Sequence, residues 1–191
     1  MIFRETGLDG AWLIEPDRVS DERGYFARTW CLDEFDRHGI DANFVQCSAS
    51  YNERAGTLRG IHLQTAPFEE AKLIRCTRGR LFDVMVDLRQ GSPTFGHWRG
   101  FELSADNSRI VYLPQGFGHG FQTVEDSTEV AYHITEFYQP NASAGVRWDD
   151  PDLAISWPMP DAPIISPRDA SLPGLRNFGA PARIPARRAI A

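Results

Sequence analysis

The feature that most constrains the fold of this chain is a succession of short runs rich in β-branched and aromatic residues, each ended by Gly, Pro, Asn or Asp. Such runs predict strands, and their spacing is typical of an all-β sandwich or barrel. Eight runs are clear, and eight strands suffice for a jelly roll. They are Gly24–Trp30, Phe44–Tyr51, Thr57–Gln64, Ala71–Thr77, Leu81–Leu88, Trp98–Leu103, Arg109–Leu113 and Thr128–Thr135.

Two local patterns add detail to this fold. The segment Thr77-Arg78-Gly79-Arg80 predicts a tight hairpin because Gly79 can adopt a positive φ, so we expect the flanking strands to pair antiparallel. The segment Leu32–His38 predicts a short peripheral helix, with acidic residues in its first turn and Gly39 to end it.

Length and composition indicate one domain. A chain of 191 residues with 42% apolar residues can build a single sizeable core. We expect that domain to span residues 1–172. Residues 173–191 are rich in Pro, Arg and Ala and poor in bulky apolar side chains, so they predict a loosely ordered tail.

Charge and cysteine content restrict partners and compartment. The net charge of −6 and the pI near 5.3 provide no basic surface for nucleic acid. Cys31, Cys47 and Cys76 are odd in number and lack CxxC spacing, which favours a reducing cytoplasm over a disulfide framework or a zinc knuckle. The chain shows neither a signal-peptide pattern nor a long apolar stretch, so we expect a cytoplasmic protein with no membrane partner.

Two histidines lie in motifs typical of cupin barrels. His62 lies at the end of Gly56-x5-His, and His119 ends the spacing Pro-x-Gly-x-x-His. Strand alternation predicts that His62 shares a face with Gln64, while Arg59 points the other way. A metal cupin needs a second histidine at position 64, and an amide is a poor substitute for imidazole. We therefore expect no metal, which leaves both histidines free for proton or phosphate chemistry.

A larger set of motifs resembles the dTDP-4-dehydrorhamnose 3,5-epimerase family over roughly residues 1–173. The matching residues, in chain order, are Arg23–Phe26, Leu58–Gln64, Lys72, Pro114–Phe121, Tyr132, Tyr138–Pro140, Trp148–Pro151, Ile155–Pro158 and Ser166–Asp169. The resemblance implies a cupin-type jelly-roll barrel with a few short peripheral helices. It also implies a homodimer that exchanges its N-terminal strand, and an isomerase that works without a cofactor.

The resemblance further implies roles for individual residues. His62 would be the base, oriented by Asp169, while Lys72 would face the C4 oxygen and Tyr132 would act as the acid on the opposite face of the sugar ring. These parts fit the chemistry, since a proton next to a ketone leaves only if the enolate is stabilised, and imidazole titrates near neutral pH. The expected reaction is epimerisation of a nucleotide-linked 4-keto-6-deoxy-hexose at C3 and C5, in deoxysugar biosynthesis.

For the nucleotide-sugar substrate, the resemblance implies a second group of residues. They are Arg23, Phe26, Arg28, Gln46, Ser48, Arg59, His119, Tyr138 and Arg168. Guanidinium groups suit phosphate oxygens, and an aromatic face stacks on any base. Arg28 replaces the Glu typical of thymidine-specific members, and Gln46-Cys47-Ser48 replaces Gln-Asp-Asn. We therefore predict that dTDP is not the tightest-binding nucleotide.

The sequence is also compatible with other functions. A CDP- or GDP-linked sugar is one alternative, and inversion at C3 alone or C5 alone is another, since the motifs do not separate these branches. A non-catalytic sugar-nucleotide binder conflicts with the joint presence of His62, Lys72, Tyr132 and Asp169. A metal-dependent cupin oxygenase conflicts with Gln64.

Overall fold

The computed structural model describes residues 1–161 and 163–179 and confirms an all-β fold with short peripheral helices. The strands are β1 (Ile2–Glu5), β2 (Trp12–Glu15), β3 (Arg18–Asp21), β4 (Gly24–Ala27), β5 (Gln46–Asn52), β6 (Leu58–Gln64), β7 (Lys72–Arg78), β8 (Arg80–Asp87), β9 (Trp98–Ser104), β10 (Ile110–Leu113), β11 (Phe117–Thr123), β12 (Thr128–Ile134) and β13 (Ser143–Gly145). The α-helices are α1 (Leu32–Asp36) and α2 (Pro167–Ala170), and 3-10 turns lie at Pro140–Ala142 and Leu175–Asn177.

Two antiparallel sheets form the jelly roll. One has six strands in the order β1-β2-β10-β7-β12-β5, and the other has five in the order β13-β6-β11-β8-β9. Their inner faces share a core in which Ile74 and Val130 from the six-stranded sheet pack with Met85 and Phe121 from the five-stranded sheet. Apolar burial between the sheets therefore holds the two walls of the barrel together.

The outer faces are covered by peripheral segments. Helix α1 buries Phe35 completely against Ile14 and Leu73 of the six-stranded sheet, and Gly39 follows the helix with a φ of 66°. The helix predicted here is therefore confirmed as a cap. On the other side, Leu153 and Trp157 of the C-terminal segment pack against the five-stranded sheet.

The predicted hairpin at Gly79 is wrong. Gly79 has the expected positive φ of 74°, but β7 pairs with β10 and β12, whereas β8 pairs with β9 and β11. The turn therefore carries the chain from one sheet to the other. A tight turn fixes only a local reversal of direction, and the partners of each strand are chosen by burial of its inner face.

Strand β11 had no sequence prediction because it contains Gly118 and Gly120, which weaken a strand pattern. A Cβ at Gly118 would lie 2.5 Å from the Ile61 side chain, and one at Gly120 would lie 2.6 Å from it. The two glycines therefore weaken the strand pattern in the sequence, and their lack of a side chain allows β11 to lie against β6. Strands β1, β2, β3 and β13 were also not predicted.

A β-bulge in the pairing of β6 with β11 changes the face of the sheet on which the Arg59 side chain lies. His119 lies opposite His62, but Phe121 lies opposite Arg59, so β6 contains one extra residue between these two pairs. Such a bulge inverts the alternation of side chains along a strand. The expectation that Arg59 and His62 lie on opposite faces is therefore wrong, because both line the same cavity.

Part of the predicted tail is described. Leu175 and Phe178 pack against the outer face of the five-stranded sheet, and Arg147 N donates to Pro173 O. Residues 180–191 lie outside the described residues, so the boundary at residue 173 stays a prediction. Within residues 1–161 and 163–179, no helix has the length and apolar content needed to cross a membrane.

Candidate active site

A cavity of about 500 Å³ opens between the two sheets. Three of the four predicted catalytic side chains line it, and Asp169 lies behind His62. The predicted substrate-binding residues that also line it are Gln46, Ser48, Arg59, His119, Tyr138 and Arg168. The fold therefore brings together most of a site that is scattered along the sequence.

His62 is held by a carboxylate from a separate element. Asp169 Oδ1 lies 2.8 Å from His62 Nε2, and Asp169 Oδ2 accepts from Gly60 N at 3.1 Å. Asp169 lies in α2, where Ser166 Oγ caps the helix by accepting from Asp169 N. With Nε2 engaged, Nδ1 is the ring nitrogen of His62 that remains available to take a proton.

The charge state of Asp169 follows from its partners. Burial of Asp169, which is 5% exposed, works to raise the pKa of the carboxyl. The hydrogen bond and charge of His62, together with the N–H of Gly60, outweigh burial and hold this pKa below its usual value. Asp169 is therefore an anion at neutral pH and stabilises a protonated His62.

A second histidine has the same arrangement. His119 Nε2 lies 2.7 Å from Asp83 Oδ2, and the Asp83 side chain is fully buried. The two strands lie very close together here, because a Cβ on Gly60 would lie 2.5 Å from His119 O. His62 and His119 therefore stand side by side on paired strands, each fixed by its own carboxylate.

Lys72 and Tyr132 come from the sheet that faces His62. Lys72 Nζ lies 2.8 Å from Glu70 Oε1 and 3.4 Å from the carbonyl oxygen of His62. Burial raises the pKa of the Tyr132 phenol well above its usual range, and the charge of Asp83 adds to this effect. Tyr132 is therefore a neutral phenol at neutral pH and lies on the opposite wall of the cavity from His62.

The remaining cavity residues provide polar groups towards its mouth. Arg59 Nε donates to Asn52 Oδ1 at 2.9 Å, and Arg168 Nη2 donates to Ser143 Oγ at 2.6 Å. Each guanidinium keeps further N–H groups, which suit the oxygens of a diphosphate. Tyr138 is 55% exposed at this mouth, so its ring is accessible to a planar ligand.

Within one chain, the structure does not bring Arg23, Phe26 and Arg28 to the cavity, so their role in substrate binding stays a prediction that depends on the expected exchange of the N-terminal strand. Arg23 pairs with Asp21, Phe26 is 76% exposed, and Arg28 Nη1 donates to Glu34 Oε1 at 2.9 Å. The physical reason is that, among the residues that the structure describes, β3 and β4 pair only with each other and not with either sheet.

Comparison with known proteins identifies the family. A family model described as dTDP-4-dehydrorhamnose 3,5-epimerase matches residues 5–177. The chain belongs to the dTDP-4-dehydrorhamnose 3,5-epimerase family. Membership of this family confirms the resemblance and the isomerase class that the motifs predicted.

Individual relatives of this epimerase family are similar over nearly their whole length. The dTDP-4-dehydrorhamnose 3,5-epimerase of Methanothermobacter thermautotrophicus is 46% identical, over 92% of this chain and 95% of its own. A crystal structure of the Bacillus anthracis enzyme with TDP and PPi bound has a TM-score of 0.88 at 43% identity, covering 91% of this chain and 98% of its own.

A relative with narrower chemistry is also similar. A crystal structure of a 3′-monoepimerase from Streptomyces bikiniensis in complex with dTDP-quinovose has a TM-score of 0.82 at 37% identity. It covers 88% of this chain and 85% of its own. Chains that are similar to this member of the epimerase family therefore include enzymes described as double and as single epimerases.

Gln64 has a structural role in this member of the epimerase family. Its Nε2 donates to Phe68 O at 3.0 Å and to Phe137 O at 3.2 Å, and its Oε1 accepts from Gln139 N at 2.6 Å. Both ends of the amide therefore bind backbone. In the part of the chain that the structure describes, no group of three or more His, Cys, Asp or Glu side chains could hold a metal ion.

Sequence reasoning missed several carboxylates and amides of the site. Asp83, Glu70 and Asn52 each contact a predicted site residue, yet they lie in runs that show only strand or loop signals. The alternation of β8 could have placed Asp83 on an inner face. No sequence signal indicated that Glu70 would pair with Lys72.

Proposed function

We propose that this chain epimerises a nucleoside-diphosphate-linked 4-keto-6-deoxy-hexose at C3 and C5, by removing and returning the protons beside the ketone. The observation that carries this proposal is the His62–Asp169 pair, joined at 2.8 Å, in a cavity whose facing sheet contributes Lys72 and Tyr132. Family membership supports the reaction class.

Proton removal is assigned to His62. Nδ1 takes the α-proton while Nε2–H donates to the ionised Asp169, so the positive charge that develops on the ring is stabilised within the pair. Such a base contributes roughly 10²–10⁴-fold to the rate. Because His62 is 33% exposed on its side chain, water can exchange its proton between turnovers.

Enolate stabilisation is assigned to Lys72. Removing the α-proton leaves negative charge on the C4 oxygen, and an ammonium that is already in place stabilises this charge without reorganisation. Lys72 is only 9% exposed, so little water competes with the enolate for its N–H groups.

Reprotonation is assigned to Tyr132. Inversion requires a proton delivered to the face opposite the base, and Tyr132 lies on β12 of the six-stranded sheet while His62 lies on β6 of the five-stranded sheet. A phenol with a strongly raised pKa is fully protonated at neutral pH, and it is acidic enough to protonate a carbanion.

Nucleotide binding is assigned to the mouth of the cavity. We infer that Arg59, Arg168 and His119 hold the diphosphate or sugar, and that Tyr138 stacks on the base. Gln46 and Ser48 line the same cavity, and Gln46 Oε1 accepts from Tyr138 N at 3.2 Å. The relatives with bound TDP or dTDP-quinovose favour a thymidine nucleotide as the substrate. Arg28, which stands where thymidine-specific members have Glu, favours a different base. Titration of the protein with the different nucleotides distinguishes these two possibilities.

We also propose a homodimer in which the β3–β4 hairpin crosses to the partner, where Arg23, Phe26 and Arg28 complete the neighbouring cavity. In the isolated chain this hairpin exposes apolar side chains, with Val19 71% and Phe26 76% exposed. Such exposure is unusual for a short hairpin unless it is covered by another surface. In the described part of the chain, β5 is an edge strand of the six-stranded sheet and can accept an added strand.

The dimer proposal has a direct test. Mixing an Arg23→Ala subunit with a His62→Ala subunit restores a fraction of active sites if the hairpin crosses over, since one site per mixed dimer then has both residues intact. A monomer by sedimentation at assay concentration, or no recovery from dimers that exchange subunits, contradicts it.

The alternatives to this proposal are epimerisation at C3 alone and a metal-dependent oxygenase. Similarity to the 3′-monoepimerase supports inversion at C3 alone. In D₂O, deuterium at C3 only would indicate this reaction, whereas deuterium at C3 and C5 would indicate inversion at both carbons. A metal oxygenase would need a ligand at Gln64, whose amide already binds three backbone groups. Activity that disappears with EDTA and returns with a divalent ion would support the oxygenase.

The test of the proposed function is incubation with dTDP-, CDP- and GDP-4-keto-6-deoxy-hexoses in D₂O, followed by NMR. We expect deuterium at C3 and C5 and formation of the inverted sugar. Absence of exchange with all three would contradict the proposal and support a non-catalytic binder. We expect this reaction in the cytoplasm, on the basis of cysteine content alone.

A further inference from the structure

Glu70 is a carboxylate in the cavity wall to which the proposed mechanism gives no task. It lies in the loop just before β7, two residues ahead of Lys72, which is the first residue of that strand. Glu70 Oε1 lies 2.8 Å from Lys72 Nζ, and the two side chains are only 8% and 11% exposed. Both residues line the cavity.

The burial of this pair separates it from ordinary surface ion pairs. Exposed pairs contribute little because water screens them and long side chains must be immobilised. A buried pair costs desolvation of both charges, and replacing it with apolar residues is often neutral or stabilising. A contribution to stability is therefore a weak reason for a carboxylate at position 70. The effect of Glu70 on the position of Lys72 is a stronger one.

The geometry of the ammonium shows that effect. Lys72 Nζ has three N–H donors. Glu70 Oε1 accepts one, and the carbonyl oxygen of His62 lies at 3.4 Å, within reach of a second. The third N–H remains for a ligand in the cavity. A flexible four-carbon side chain is thus fixed at its end from two sides before any substrate enters.

We propose that Glu70 is a positioning residue that aims the Lys72 ammonium at the C4 oxygen of the substrate. This inference rests on the role of Lys72 in the proposed function. Full negative charge appears on that oxygen only as the α-proton leaves, so a well-aimed N–H stabilises the transition state more than the bound substrate. Loss of positioning should therefore lower kcat and leave KM nearly unchanged.

The chain allows a matched pair of variants. Glu70→Gln keeps an oxygen that can accept from Lys72 Nζ and removes the charge, whereas Glu70→Ala removes the acceptor. We expect Glu70→Ala to lower kcat about 10- to 100-fold with KM within about three-fold, and Glu70→Gln to stay within about three-fold of wild type in both. Equal losses in the two variants, or a wild-type kcat for Glu70→Ala, would overturn the proposal.

A double-variant cycle distinguishes positioning from a general effect on the fold. If Glu70 acts through Lys72, Glu70→Ala should cause no further loss in a Lys72→Met background. A further loss there would contradict the inference. Thermal unfolding of each variant controls for folding, and Glu70→Asp, which withdraws the acceptor by one methylene, replaces Glu70→Ala if the alanine variant does not fold.

The same cycle separates this inference from the proposed function. A Lys72→Met variant with wild-type exchange in D₂O would contradict the role of Lys72 itself. A slow Lys72→Met variant together with a fast Glu70→Ala variant would contradict only the positioning by Glu70.

Discussion

Asp169 Oδ1 lies 2.8 Å from His62 Nε2, and the two residues are separated by 107 positions in the chain. The contact forms because β6 carries His62 on the inner face of the five-stranded sheet, while the capped helix α2 places Asp169 behind it. This arrangement fixes which ring nitrogen faces the cavity, and the chemistry proposed for the site depends on it.

We predict that Asp169→Asn lowers kcat about 10²- to 10⁴-fold, because a neutral amide neither fixes the tautomer of His62 nor stabilises the protonated ring. KM should change little. Steady-state assays measure the loss, with Asp149→Asn, an exposed carboxylate paired with Arg147, as the control. Rates within about two-fold of wild type would show that His62 does not need this carboxylate.

We predict that Tyr132→Phe separates exchange from inversion. His62 can still remove and return a proton on its own face, so deuterium should enter beside the ketone with retained configuration. Formation of the inverted sugar should fall by about 10²-fold or more, since the donor on the other face is lost. NMR in D₂O follows both outcomes, and undiminished inversion would remove Tyr132 from its role.

We predict that Asp87 stabilises the loop after β8 in a pH-dependent way. The fully buried Asp87 accepts hydrogen bonds from Arg89, Ser92 and Thr94, which outweigh burial and hold its pKa well below the usual range. Its contribution is therefore complete above the unfolded-state pKa of about 3.9 and is lost as pH falls below it.

The variant for this prediction is Asp87→Asn. Urea unfolding at neutral pH should show a loss of about 1–3 kcal/mol in the free energy of unfolding. The difference in the free energy of unfolding between variant and wild type should decrease as pH falls from about 5 towards 3. A difference that stays constant over that range would mean that Asp87 is not the titrating group.

We predict that dTDP is not the tightest-binding nucleotide and that Arg28→Glu increases the affinity for dTDP. A guanidinium only donates hydrogen bonds, so contacts that a carboxylate would accept are lost, at about 1–3 kcal/mol or roughly five-fold to more than a hundred-fold in affinity. Calorimetric titration with dTDP, CDP, GDP and UDP measures this. Tightest binding of dTDP, unchanged in Arg28→Glu, would indicate that Arg28 stays with Glu34, its partner at 2.9 Å.

Much of the fold could be predicted from sequence because alternation and turn residues are local signals. All eight predicted runs contain strands, and the peripheral helix at Leu32 is confirmed. Strand β11 was missed because Gly118 and Gly120 are required by packing against β6, a long-range contact. The hairpin at Gly79 was wrong for the same kind of reason, since sheet membership depends on the whole barrel.

The sequence likewise predicts some residues of the candidate site and not others. Motifs identified His62, Lys72 and Tyr132, and the structure brings them to one cavity. Alternation gave the wrong face for Arg59, because a single inserted residue in β6 cannot be read without the partner strand. Glu70 carries no motif, and its importance follows only from its distance to Lys72.

The most direct test of the central claim compares wild type with His62→Ala in D₂O, using a nucleotide-linked 4-keto-6-deoxy-hexose and NMR detection at C3 and C5. The proposed mechanism predicts rapid deuterium entry at both carbons in wild type and a loss of about 10²-fold or more in His62→Ala, because imidazole is the only base assigned to these protons. Equal exchange rates in the two proteins would contradict it.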